Sequence, residues 1–137
     1  MSSSIYLFNP DYDMAMANFT PYYKAPAEIV RMAADLSVLP VWFAEPGCGI
    51  KVDQLERVEL LARQLSETCQ EEEGRSKWRQ FVSSFSWTEK WVSASFLPWG
   101  WTPCLVHRLR LEGVEAVSYT HLRAHETDQD LVCRLLL

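Results

Sequence analysis

Residues 4–10 read Ser-Ile-Tyr-Leu-Phe-Asn-Pro, and this stretch decides the fold. Residues 4–8 are an apolar run of β-formers, and Asn9-Pro10 closes it with turn chemistry. A short apolar run so bounded predicts a buried first strand. Residues 9–24 follow as a polar and aromatic connection, longer than most strand–helix links and of the kind that carries binding residues.

Beyond it, residues 26–36 predict a helix. Pro26 suits a first turn, where its missing N–H costs nothing, and Ile29, Met32, Ala33 and Leu36 form one apolar stripe. Residues 38–44 predict a second strand, with Pro40 either demoting its first half or placing it at an edge, and 49–52 a short third one after a turn at 45–48. Residues 53–69 predict a second helix. Asp53 serves as its cap, Glu56 stands three residues later, and Leu55, Val58, Ala62, Leu65 and Cys69 share a face. The three glutamates at 71–73 oppose that helix's negative end, and Gly74 completes the stop. Residues 74–77 read as a polar linker, 80–87 as a strand, 88–96 as helix or strand, and 97–101 as a turn. Thr102-Pro103 then opens a helix that stops at Gly113. Strands alternating with helices predict an α/β fold, an incomplete Rossmann-like three-layer unit with a mostly parallel sheet.

Composition bounds the rest. The 137 residues are 48% hydrophobic and 23% charged, which suits one globular domain. A net charge of −5 argues against a nucleic-acid partner. Four dispersed cysteines form no CxxC pair, so neither a zinc site nor a disulfide scaffold is expected. Ser37 and Pro40 interrupt the longest apolar stretch, and the start lacks a basic segment followed by a long apolar one. No membrane partner and no signal peptide are expected, and a cytoplasmic location follows.

Residues 117–137 read VSYTHLRAHETDQDLVCRLLL. As codons, GTC TCT TAT ACA CAT CTC CGA GCC CAC GAG gives residues 117–126. CTC GTA TGC CGT CTT CTG CTT gives 131–137. The string resembles a translated transposase-type sequencing-library adapter, two constant parts in one frame around a short variable gap. It is therefore set aside as a non-native tail, expected to be disordered or a helix with few long-range contacts. The domain division is 1–116 for a truncated α/β domain and 117–137 for the read-through. His121 and His125, spaced i,i+4 as a zinc pair would be, leave with the tail, and His107 remains.

Ligands of open α/β sheets bind at the carboxyl ends of strands, where the 9–24 connection begins. Asn9, Asp11, Asp13 and Asn18 are thus candidate substrate contacts, or else turn and solvent residues. Asp11-Tyr12-Asp13 also has the form of a DxD pair that holds a metal against a diphosphate, although no metal site is assigned. Tyr22, Tyr23 and Lys24 either stack on a ligand or pack the loop with its own rings. Trp99 and Trp101 precede a helix start, whose free N–H groups favour anions. They frame a planar or anionic ligand, wedge a core, or meet a further domain. Neither GxGxxG nor GxxxxGK[ST] occurs, and residues 45–49 read as a plain turn. His107 belongs to a solvated helix face or to acid–base chemistry. Cys48, Cys69 and Cys104 are small half-buried residues rather than nucleophiles, and no catalytic residue is assigned.

Residues 4–47 resemble the start of a bacterial family whose full-length members look like ATP-grasp proteins. There a strand ends F-N-P-[DE]-x-D-[ML]-A-[LM]-A, followed by a tyrosine-rich loop, an M-A-x-D-L helix and an L-P-x-W-[YF]-A segment. A later P-W-G-W and a helix ending L-x-x-x-G-V match 98–101 and 109–114 here, while 51–94 is less distinctive. The resemblance implies an N-terminal pre-ATP-grasp α/β domain on the substrate side of an ATP-dependent carboxylate ligase. Such ligases use ATP and magnesium, held by later domains. The fragment itself then needs no cofactor and is inactive alone. Its partners are the missing C-terminal domains of the same chain and a small-molecule substrate. Asn9, Asp11, Asp13, Asn18, Trp99 and Trp101 carry over as substrate-side contacts. Two other readings stand beside it: a non-enzymatic α/β binding module whose Trp-rich end meets a protein partner, and a nucleotide-sugar transferase fragment using Asp11 and Asp13.

Overall fold

The structure is a computed structural model and describes residues 4–114. The adapter-like tail, its His121–His125 pair and the disorder-or-helix expectation for it lie outside the described residues. Within 4–114 the chain is an α/β unit. In order it runs β1 (Ser4–Leu7), α1 (Tyr12–Asn18), α2 (Ala27–Asp35), a 3-10 turn (Leu39–Trp42), β2 (Gly49–Lys51), α3 (Glu56–Glu67), α4 (Glu72–Ser83), β3 (Ser86–Thr88), β4 (Ser95–Pro98) and α5 (Pro103–Leu111). The four strands form one parallel sheet in the order β3-β2-β1-β4.

Strand periodicity sends alternate β1 side chains to opposite faces, and each face has its own core. Ile5 lies with Phe96, Leu105, Leu109 and Val114, backed by Leu7, Trp91 and Trp101. Tyr6 faces the other way, against Val41, Ile50, Val52 and Phe85, with Val58 and Leu61 of α3 and Phe81 of α4 above them. Helices thus cover both faces, and the Rossmann-like three-layer arrangement expected from the sequence is present. Each fully buried Ile, Leu, Val or Phe contributes about 1.5–3 kcal/mol to this sandwich. Gly49 keeps β1 and β2 close: a Cβ there would approach Ile5 Cγ1 to 2.9 Å.

Several elements differ from expectation. The 9–24 connection contains α1, whose Ala15 and Met16 are buried. Its C-cap, Phe19, takes φ 40°, a left-handed conformation costly for a bulky side chain, and its N–H reaches Ala15 O at 3.0 Å. Residues 38–44 are not a strand. Pro40 supplies a helical φ without an N–H, and the segment closes into a 3-10 turn that buries Val41. Asp53 does not cap α3. The Leu55 N–H at the start of α3 instead donates to Glu89 Oε1 at 2.6 Å, and Asp53 lies 3.8 Å from Arg57.

Residues 74–83 are neither linker nor strand. They belong to α4, which packs on α3, with Gly74 so close that a Cβ would sit 3.1 Å from Cys69 Sγ. The glutamates at 71–73 serve the positive start of α4 rather than opposing the end of α3, and Glu73 pairs with Lys77 at 2.8 Å. Residues 97 and 98, expected in a turn, extend β4. The Trp99 N–H donates to Leu7 O at 2.8 Å, so alternate residues Phe96 and Pro98 turn their backbone away from β1.

α5 is as expected. Thr102 Oγ1 accepts the Leu105 N–H at 3.1 Å, Pro103 opens the helix, and Gly113 ends it at φ +72°.

Candidate ligand cleft

The chain leaves β1 toward β2 on one side, while β4 lies on the other. The carboxyl ends of β1 and β4 therefore mark the switch point where open α/β sheets hold ligands. Two loops meet there. Asn9 Nδ2 donates to Gly100 O at 2.7 Å, and the Gly100 N–H donates to Asn9 Oδ1 at 3.1 Å. Both ends of the Asn9 amide are engaged in this clamp. Tyr12 packs its ring against Gly100 so closely that a Cβ at that glycine would fall inside the ring.

Behind the clamp opens a cleft of about 830 Å³, between the end of β1, residues 21–25, α2, Trp91 and α5. Asp11 lines it, while its backbone carbonyl accepts the Ala15 N–H at 2.8 Å. Tyr23 lines it as well, and its hydroxyl is buried without a hydrogen-bond partner. Desolvation first, then the charges of Asp11 and Cys104, hold that phenol above the usual tyrosine range, so it stays protonated and a donor. Tyr22 sets its ring edge-on to His107, with centroids 5.5 Å apart. Cys104 is half-buried, with Sγ 3.1 Å from Thr102 Oγ1. Lys24, His107, Arg108 and Glu112 complete the polar lining.

The other expected contacts disperse. Asp13 is exposed on the first turn of α1 and does not line the cleft. Asn18 is exposed too, and its amide donates to Met14 O at 2.8 Å within its own helix. The two tryptophans diverge. Trp101 packs on the Ile5–Phe96 core. Trp99 is 62% exposed and meets Phe8 and Phe43 near the opposite face. They do not frame a common ligand. The start of α5 offers an anion little: Pro103 has no N–H, and Thr102 takes the N–H groups of Leu105 and Val106.

Sequence reading passed over Trp91 and the two cations on it. Lys51 Nζ stands 4.9 Å, and Arg108 Cζ 5.5 Å, from the Trp91 ring centroid. Burial first, and then Arg108, push the Lys51 ammonium below its usual range. No spacing in the sequence joins residues 51, 91 and 108; only the sheet order brings them together. Among the described residues no group of three His, Cys, Asp or Glu side chains is arranged to hold a metal ion. No helix among them is long and apolar enough to cross a membrane.

This geometry defines a class: a parallel α/β unit with a mainly apolar, aromatic-walled cleft, carrying a few polar groups, at its switch point. Comparison with known proteins goes no further, since no family model, curated protein or solved structure matches the chain.

Proposed function

We propose that the chain is the substrate-side N-terminal domain of a cytoplasmic ATP-grasp-like ligase, cut short near residue 116 and inactive alone. The cleft receives the non-nucleotide substrate. One observation carries most of the weight. The two motifs on which the resemblance rests, Phe-Asn-Pro-Asp at 8–11 and Pro-Trp-Gly-Trp at 98–101, lie 91 residues apart at Asn9 and Gly100 and are clamped together by two hydrogen bonds. They act as one unit at the rim of the cleft. ATP and magnesium belong to domains that would follow. This chain has no phosphate loop, and the start of α5 offers few N–H groups, so no step through the nucleotide is assigned to its residues.

Two measurements test the reading. The purified chain should not hydrolyse ATP with magnesium, and hydrolysis would overturn the assignment. Genomic DNA across codon 116 should run on into further coding sequence without the adapter codons. Finding those codons in the chromosome would remove the truncation.

A second reading has its own support. Trp42 at 53%, Phe43 at 51% and Trp99 at 62% exposure put large aromatic surface in solvent. That suits a non-enzymatic binding module whose Trp-rich end meets a protein partner. A gene ending soon after codon 116 would favour it over the ligase domain.

A further inference from the structure

We propose that the cleft binds a small molecule by an uncharged aromatic body, and that any charged end of that molecule stays outside in water. This rests on reading the cleft as the substrate site and names the chemistry of its occupant. Large apolar side chains stand in water at its mouth. Tyr22 is 76%, Val30 54% and Leu111 74% exposed, and all three line the cleft. They come from the 21–25 loop, from α2 and from the last residue of α5, segments distant in the chain that meet around one concavity. α2 buries none of its own residues and gives Val30 and Ala33 to the wall. Single exposed apolar residues need no explanation, but a group of them around a hollow favours an apolar occupant, which removes their surface from water. The volume of about 830 Å³ is that of a small-molecule site.

Charge decides against an ionic body. Asp11 and Glu112 on the walls are matched by Lys24 and Arg108, and Glu112 stands one helical turn after Arg108. A buried ligand charge needs a partner of opposite sign, and these walls hold no excess of either. The shape of the side chains favours a ring over a branched chain. Phe8, Tyr22, Tyr23 and Trp91 all line the cleft, and rings meet rings edge-on or offset. Trp91 is already met by Lys51 and Arg108, so Tyr22, standing out at the mouth, is the ring best placed to close on the ligand.

The test is amide chemical-shift mapping of the full chain by NMR, with benzyl alcohol, benzoate, benzylamine, naphthylmethanol, acetate and ethylamine as probes. Benzyl alcohol, benzoate and benzylamine should bind within about threefold of one another, since an end left in water is screened. Naphthylmethanol should bind about tenfold more tightly than benzyl alcohol, through its added ring area. Acetate and ethylamine should not bind at the same concentrations. The shifts should fall on residues 21–25 and on α5. Ala33→Trp should abolish binding by filling the cleft, and Leu111→Ser should weaken it about fivefold. Leu111 is exposed, so its substitution tests the site even where Ala33→Trp unfolds the chain. Leu60→Ser, an equal change on the exposed surface of α3, should leave binding unchanged. A preference of about tenfold or more for benzoate or benzylamine over benzyl alcohol overturns the proposal. So do shifts confined to Trp42, Phe43 and Trp99, binding that ignores Leu111→Ser or falls equally in Leu60→Ser, and probes that all fail to bind. Each of these leaves the substrate-side reading intact. That reading falls separately, to ATP hydrolysis or to the genomic sequence.

Discussion

The Asn9 side chain closes a two-hydrogen-bond ring on the backbone of Gly100, tying the exit of β1 to the exit of β4. The pairing needs an amide, with one donor and one acceptor side by side. Asn9→Ala should therefore destabilise the chain by about 1–3 kcal/mol, the cost of leaving partly buried backbone groups unpaired. Asn9→Asp should lose at least as much, because a carboxylate cannot donate to the Gly100 carbonyl. Urea denaturation of the three proteins checks the order. Equal stability of Asn9→Asp and wild type would show that the clamp does not form.

Gly100 is required for a different reason. Any Cβ there enters the Tyr12 ring, so Gly100→Ala should cost about 1–3 kcal/mol, as overpacking does. Tyr12→Ala in the same chain should recover part of that loss. A double-mutant cycle by chemical denaturation measures the coupling, and strictly additive losses would rule out the contact.

Thr102 is 1% exposed and caps α5 through its hydroxyl. Thr102→Val keeps the shape and removes the acceptor, and should cost about 1–2 kcal/mol, whereas Thr102→Ser should keep most of the stability. Thermal melts of both variants decide between capping and simple packing.

Tyr23 carries a pH signature. Its phenol titrates higher in the folded chain than the ordinary value of 10.0, so the folded state holds the proton longer than the unfolded one. Below pH 10 the group then contributes no pH dependence; above it the unfolded chain ionises first and the folded state loses ground. Tyr23→Phe should match or exceed wild-type stability near neutral pH, because the lost hydroxyl has no partner. The advantage of the variant should widen as pH rises through 10. Urea titrations at neutral and alkaline pH read this directly, and a gap that narrows would contradict it.

Local chemistry made the first strand and the last helix readable. The apolar run at 4–8 has no good alternative, and the Thr-Pro pair before Cys104 starts a helix by itself. The elements that eluded the sequence depend on distant residues. α1 has seven residues and no side-chain cap bond, and its buried Ala15 and Met16 need the fold around them. Residues 39–42 are apolar without a period, and Pro40 settled them as a 3-10 turn. The glutamates at 71–73 begin α4, yet in sequence they stand equally after one helix and before the next, an ambiguity of dipole direction that charge alone cannot resolve. At the cleft, Asn9 and Asp11 were legible because a loop after a first strand lies at the carboxyl edge. Trp91, Lys51 and Arg108 were not, since their meeting depends on strand order, and Trp99 and Trp101 diverge because both lie past the end of β4, where the bend at Gly100 breaks the alternation that would put residues two apart on one side.

The direction in which Pro98 faces has one more effect. Within the described residues nothing pairs with the outer flank of β4, and on that flank only Phe96 has an amide hydrogen to offer, because the nitrogen of Pro98 carries none. A foreign strand seeking to zip along it finds half a ladder. That flank is thereby a poor template for fibre-like growth.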